Sequence, residues 1–429
     1  MIRAPIAGGV SERKAAAGRR LALAALVAAA VACGPGRGQG QEDLEHRAKR
    51  LAHDLLIVDT HIDLPYRLST RPADVGFRNL HGDLDYVRAR EGGLDVAFLS
   101  IYVPASDDPG EEAKQAADAL IDGVERIVAE HPDKFTLVRS PRDDFRRSPK
   151  VRLALGMENG DPLVDRLENL THFHERGVRY ITLAHSKSNR IADSSFDTAR
   201  PWNGLSPFGR EVVREMNRLG IMVDVSHVSD AAFEQVVELS RAPVLASHSS
   251  CRHFTPGWER NMSDEMIRRL AAAGGVIQIN FGSMFLDDRY RREFEERERR
   301  IEAELDASGI ARDSAEARAF AEEFQRKHPL APVGVGAVAD HIDHVVRLVG
   351  IDHVGLGSDF DGVGDALPEG LSDVSQYPNL IAVLLARGYT SEQVVKVCAG
   401  NLLRVWREAE RVARELEGQP AADGGEEGA

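Results

Sequence analysis

Thiols are scarce in this chain of 429 residues: its three cysteines, Cys33, Cys251 and Cys398, lie too far apart for a zinc ribbon. Cys251 and Cys398 read as structural, and the sequence leaves open whether they can pair. Positive charge is in deficit as well. With 54 Lys and Arg against 68 Asp and Glu the net charge is −14, and no basic stripe or aromatic ladder offsets it, so a nucleic-acid partner is excluded. The apolar run at residues 21–32 is too short to span a bilayer. Preceded by Arg13, Lys14, Arg19 and Arg20, it suits the core of a signal peptide instead.

That run closes on Ala30-Val31-Ala32-Cys33-Gly34, small residues before a cysteine, as at a bacterial lipoprotein processing site. Residues 1–33 therefore read as a signal peptide of lipoprotein type with Cys33 as the lipidated residue. An ordinary secretory cleavage nearby, or a twin-arginine route through Arg19-Arg20, are the alternatives. Either way the protein is expected to be exported, to the periplasm or cell envelope, and a lipid at Cys33 would tether it to a membrane rather than thread it through one. Residues 34–42 read as a linker and 418–429 as a disordered acidic tail. The remainder, 43–417, is long for one domain but ordinary for an α/β barrel, and 43% hydrophobic residues suit a large core.

What the chain does have is a repeated unit. In residues 221–250, IMVDVSHVSDAAFEQVVELSRAPVLASHSS, two short runs of β-formers each end in Ser-His, at Ser226-His227 and Ser247-His248, and residues 230–239 between them read as a crossover helix opened by a polar cap. Parallel neighbours joined in this way lie roughly 5 Å apart, so the two imidazoles can reach one metal ion. The same grammar recurs along the chain. Strands are expected at 55–63, 94–103, 151–160, 178–185, 221–225, 243–246, 274–281 and 353–362, with helices between them. Gly156 and Gly160, flanking Glu158, read as points of close backbone approach. Eight strand–helix units point to a (β/α)₈ TIM barrel with a charged helical insertion, residues 287–328, after strand seven. The insertion reads first as a solvated face, with a lid or an oligomer contact as the other readings.

The functional groups of such a barrel sit at the carboxyl ends of its strands. His61 and Asp63 end the first strand, Glu158 the third, His185 the fourth, His227 the fifth, His248 the sixth and Asp359 the eighth, so seven imidazole or carboxylate groups share one rim. Histidines and carboxylates without a thiolate suit zinc or another borderline divalent metal. They are too many for one tetrahedral ion that must also keep a place for water. Two ions about 3.5–4 Å apart fit better, with Glu158 and a hydroxide as bridges, His61 and Asp63 on one ion, and His227 and His248 on the other.

At these residues the chain resembles the membrane dipeptidase family, zinc dipeptidases of the amidohydrolase superfamily. The resemblance is carried by VDTHIDLP, GMENG, YITLAHSKSN, GLSPFGREVVREMNRLGIMVDVSHVSD, APVLASHSS, GGVIQINF, GIDHVGLGSDFDG and GNLLRVW, in that order. It implies a TIM barrel, two zinc ions, dipeptide substrates and a homodimer. By position it makes His61, Asp63, Glu158, His227 and His248 the metal ligands, and assigns His185, Arg260 and Asp359 to substrate. Asp359 would shuttle the proton from the bridging hydroxide to the leaving amine, His185 would stabilise the oxyanion, and Arg260 would clamp the free carboxylate. The stretch CRHFTPGWERN departs from the family's pattern, which keeps Arg252 as a rival to Arg260, and the charged insertion departs from it too. Asp361 reads as a residue that caps or orients its loop. A related amidohydrolase acting on a β-lactam or an N-acyl amino acid is the alternative reading.

Overall fold

Short runs of aliphatic and β-branched residues, buried along their whole length, alternate with longer amphipathic segments, and each takes the structure its period dictates. The computed structural model describes residues 37–106, 109–143, 145, 148–312 and 314–418. The expected leader with Cys33, and the tail from 419, lie outside the described residues. Among the described residues nine strands form: β1 (Ile57–Ile62), β2 (Leu94–Tyr102), β3 (Phe135–Leu137), β4 (Val151–Glu158), β5 (Val178–Thr182), β6 (Met222–Asp224), β7 (Leu245–Ser249), β8 (Val276–Ile279) and β9 (Val354–Leu356). All pairings are parallel, in the order β1-β2-β4-β5-β6-β7-β8-β9, with β3 paired to the start of β4. Only β3 lacks a counterpart among the expected strands, because three residues, Phe135-Thr136-Leu137, carry no readable period.

The ring closes through backbone beyond the last strand. Asp359 donates its N–H to the His61 carbonyl at 3.0 Å, and Asp63 donates to that of Phe360 at 2.8 Å. The eight-stranded path is therefore a nearly closed parallel barrel wrapped by helices, as expected for a TIM barrel. Beneath the strand ends, Val58, Phe98, Ala154, Tyr180, Met222 and Leu245 make a core cluster with Leu402 and Trp406 of the carboxyl-terminal helix, Asn401–Glu417. The crossover helix is Asp230–Leu239, capped by Ser229, whose side chain accepts from Ala232 N. The first helix, Arg37–Asp54, starts inside the stretch read as a linker. Its later residues are strong helix formers that bury Ala48 and Ala52, and the helix extends backwards from them. Among the described residues no helix is long and apolar enough to cross a membrane.

The insertion is helical, as expected. It comprises Asp288–Ser308, capped by Asp287, and Ala315–Lys327, capped by Ser314. Ile301, Leu305 and Ala317 give it a small core of its own, and most of its charges pair along the helix surface, Arg291 with Glu295 at 2.7 Å for example. Its salt bridge from Glu322 to Arg71, 2.7 Å, ties it to the loop after β1, at the seam where the barrel closes.

One glycine of β4 is decisive for what lies above. Tyr180 crosses the barrel interior from β5 and reaches β1, passing over Gly156; a Cβ on Gly156 would sit 1.9 Å from the Tyr180 ring. The close approach is thus by a ring, whereas at Gly160 the backbone carbonyl of Leu183 would lie 2.9 Å from a Cβ. Overpacking of this kind costs about 1–3 kcal/mol, so Gly156→Ala is expected to lower the urea midpoint of unfolding and to displace Tyr180. An unchanged midpoint would show that the barrel interior yields more easily than its packing implies.

Candidate active site

The rim residues leave their strands in two ways. His61 and His248 lie within β1 and β7, Glu158 is the last residue of β4, and Asp63, His185, His227 and Asp359 follow the ends of β1, β5, β6 and β9. His227 and Asp359 have φ of 69° and 64°, a left-handed backbone that a non-glycine residue adopts at a cost and that turns their side chains over the barrel axis. All seven groups are buried.

Glu158 is the hub. Its Oε1 lies 3.4, 3.2 and 3.3 Å from Nε2 of His185, His227 and His248, while Oε2 lies 3.3 Å from Nε2 of His61 and accepts from Ser100 Oγ at 3.1 Å. His61 Nε2 also lies 3.5 Å from Asp63 Oδ2. The two oxygens thus face different partners, His61 with Asp63 on one side and His227 with His248 on the other. His248 nevertheless stacks on His61, ring centroids 3.7 Å apart, and the His185 ring lies 4.3 Å from that of His227. Burial alone would raise the Glu158 carboxyl, but the imidazoles around it, His61 and His185 foremost, hold it well below the usual range.

Hydrogen bonds fix two of the imidazole tautomers. Tyr180 donates its single hydroxyl proton to the Thr60 carbonyl, 2.9 Å, so at 2.8 Å it accepts from His61 Nδ1, and in the neutral ring Nε2 then carries the lone pair. Ser247 Oγ donates to Asp224 Oδ2 at 2.6 Å and so accepts from His248 Nδ1 at 2.7 Å, with the same result for His248 Nε2. Arg260 can only donate, and its NH2 lies 3.1 Å from His227 Nε2. Two lone pairs, on His227 and His248, therefore face each other at 2.8 Å. Burial keeps both rings neutral, driving them well below the ordinary imidazole range. A shared cation makes that arrangement attractive. His61 Nε2, Asp63 Oδ1 and His227 Nδ1 are also buried without a hydrogen-bond partner. Imidazoles and carboxylates poised in this way fit a borderline divalent metal.

Asp359 completes the rim. Its Oδ2 accepts from Asn280 Nδ2 at 2.7 Å, and a Cβ on Gly362 would fall 2.3 Å from its Oδ1 and 2.2 Å from Asp63 Oδ2, so only glycine lets the two carboxylates lie there. Burial, with Asp63 and Glu158 close by, pushes Asp359 up to about 7. Two neighbouring carboxyls displaced in opposite directions have the electrostatics of a base and its fixed counterpart. Asp361 orients its loop, accepting from Asp83 N at 2.7 Å and pairing with Arg67 Nε at 3.0 Å.

The two candidate arginines separate cleanly. Arg260 is buried against the cluster, donating to Ser249 Oγ at 3.0 Å and to the His248 carbonyl at 2.8 Å, with Nε left without a partner. Arg252 is engaged elsewhere, gripping Asp230 in bidentate fashion at 2.7 and 2.6 Å. Sequence reasoning passed over Asn280, Tyr180 and Asp224, and marked Ser247 only as the neighbour of His248. Asp224 did leave a signal, an acid inside an otherwise apolar strand, whereas Asn280 and Tyr180 left none.

A family model described as membrane dipeptidase (peptidase family M19) matches residues 45–420. An uncharacterized dipeptidase of Schizosaccharomyces pombe is 33% identical over 398 residues, covering 88% of this chain and 86% of the relative. Among solved structures, the probable dipeptidase PvdM from Pseudomonas aeruginosa aligns with a TM-score of 0.75 and 30% identity, over 87% of this chain and 100% of its own. A metallo peptidase from Rhodobacter sphaeroides, solved with a phosphinate mimic of the dipeptide L-Ala-D-Ala, aligns with a TM-score of 0.67 and 26% identity, over 83% of this chain and 99% of its own.

Because Ser247 sets the His248 tautomer without touching the hub, Ser247→Ala is expected to weaken metal affinity about 10- to 100-fold at an unchanged fold. Chelator competition reads this directly, and wild-type affinity in the variant would remove the relay from the site.

Proposed function

This chain belongs to the membrane dipeptidase family and is a metallopeptidase of that type, and from that premise we propose that it hydrolyses dipeptides with two zinc ions. His61 and Asp63 would hold one ion and His227 and His248 the other, with Glu158 joining them. The observation that carries this reading is the division of Glu158, one oxygen toward His61 and the other toward His227 and His248. When bound, such a pair polarises the scissile carbonyl and brings a water close to ionisation at neutral pH.

The other roles fall to side chains. Asp359 Oδ1 would take the proton released as water adds to the carbonyl carbon, then deliver it to the amine as the C–N bond breaks. Asn280 holds Oδ2, leaving Oδ1 to exchange the proton. His185, whose Nδ1 is buried without a partner, would donate a hydrogen bond to the oxyanion. Arg260, anchored by Ser249 and the His248 carbonyl, would present its remaining donors to the free carboxylate, which makes a short substrate a requirement. The dipeptide mimic in the Rhodobacter sphaeroides protein supports this substrate class. On the sequence alone, residues 1–33 would direct export to the periplasm or cell envelope, with lipid at Cys33 as the tether. The family resemblance suggests a homodimer.

Purified protein is expected to carry close to two zinc ions per chain, and Asp359→Asn should keep them while losing roughly 10²–10⁴ in turnover. Metal analysis beside steady-state kinetics decides the matter; a variant that turns over normally would take the proton from Asp359. Charge-assisted hydrogen bonds contribute roughly 1.5–3 kcal/mol, so Arg260→Ala should raise KM about 10- to 150-fold with metal content retained. If Arg252→Ala does this instead, the clamp is misassigned.

A further inference from the structure

The loop that carries Arg260 begins with side chains that the rim does not use. After β7 the chain makes one short turn, Arg252–Phe254, inside the stretch CRHFTPGWERN whose departure from the family's pattern the rim leaves unexplained. Three histidines meet there: His253 in the turn itself, and His341 and His344 on the helix Gly336–Val349. His341 is fully engaged, since Nδ1 accepts from Cys251 N at 3.0 Å and Nε2 donates to the Leu286 carbonyl at 3.1 Å. The other two keep coordinating capacity. His344 Nε2 lies 2.7 Å from Oδ1 of Asp264, the first residue of the helix Asp264–Ala272. The exposed ring of His253 stacks on that of His344, centroids 4.4 Å apart and planes 20° from parallel, and His253 makes no hydrogen bond among the described residues.

His253, Asp264 and His344 each offer one ligand atom, and the three atoms lie within 4.8 Å of one another. Atoms that share an ion at about 2.0–2.2 Å stand at most about 4.4 Å apart, so the group closes on a cation by a shift of a few tenths of an ångström, which a surface ring can make. The pair of Asp264 with His344 would by itself join the two helices. The second imidazole adds a ligand on the solvent side, where an ion enters. Two imidazoles and a carboxylate, with no thiolate, suit a borderline ion such as zinc, and water fills the remaining positions. On binding, the ion takes the place of the proton between His344 Nε2 and Asp264, and that proton passes to solvent.

We propose that His253, Asp264 and His344 form a further site for a divalent transition-metal ion, outside the rim cluster and sharing no residue with it. An ion there joins three segments that are distant in sequence, and fastens the loop carrying Arg260 to two of the helices that wrap the barrel.

The test uses the full-length protein with its rim metal in place, dialysed against a series of free zinc concentrations, with zinc counted per chain and Tm recorded at each. At the concentration that saturates it, the wild type is expected to hold one ion more than His253→Ala or Asp264→Asn. Affinity for that ion should fall at least about tenfold in each variant, since loss of even a ligand's hydrogen-bonded partner costs roughly 10- to 100-fold. With free zinc at about a hundred times Kd, the wild-type Tm should rise by about 3 °C and that of His253→Ala by much less. His253→Ala alters only an exposed ring, so it reads the site even if Asp264→Asn, which also breaks the pair with His344, folds poorly. Because the count is a difference between proteins, it holds whether the rim carries two ions or another number. Equal zinc counts in the wild type and His253→Ala, or an equal rise in Tm in both, would overturn the proposal.

Discussion

A carboxylate withdrawn from water and faced by four imidazole nitrogens within 3.4 Å is the constraint on which this molecule rests. Glu158 could not stay ionised in a buried position without those neighbours, and two of them, His227 and His248, held neutral by burial, would repel one another through their facing lone pairs without a positive charge between them. The cluster is therefore built to be completed by cations. That requirement, more than any single residue, makes the barrel mouth the candidate metal centre.

Holding the cluster is the work of a second ring of groups around it. Asp224 accepts from Ser247 and, through it, sets His248. Tyr180, passing over Gly156, sets His61 from the far side of the barrel. Asn280 holds Asp359, and Gly362 makes room for the two carboxylates beside it. Because the ring closes through Asp359 N and Asp63 N rather than through a full strand pair, the backbone that seals the barrel is the same backbone that positions Asp359, the proposed proton carrier. Fold and chemistry share those hydrogen bonds.

The insertion stands apart from this economy. It has its own small core, and it touches the barrel at the seam through Arg71 and toward Asp365. Many of its surface charges pair along the helices, on the solvated face the sequence led one to expect, whereas Arg297 is turned to the inner face, with Glu298 and Asp365 at 3.7 and 3.8 Å. A periodic charge pattern shows which residues face outward; it is silent about a charge that has been turned inward.

Much was legible before any coordinates. Strand identity and order, the crossover helix from Asp230 to Leu239 and the seven rim residues follow from local signals: runs of β-formers, polar caps, and polar groups where apolar runs end. The three-residue strand β3 carried too little period to be seen, and Arg260 could be told from Arg252 only once Asp230 was known to occupy the latter. What the sequence by itself determined is the inventory, which groups stand at which strand ends, because side-chain type and strand period are properties of neighbouring residues. Only the tertiary structure decided which oxygen of Glu158 meets which ring, which nitrogen keeps its proton, and where His227 and Asp359 turn left-handed to face the axis. Those outcomes depend on contacts such as Tyr180 with His61 and Ser358 with Asp59, 119 and 299 residues apart in the chain, and no local pattern encodes a distance of that kind.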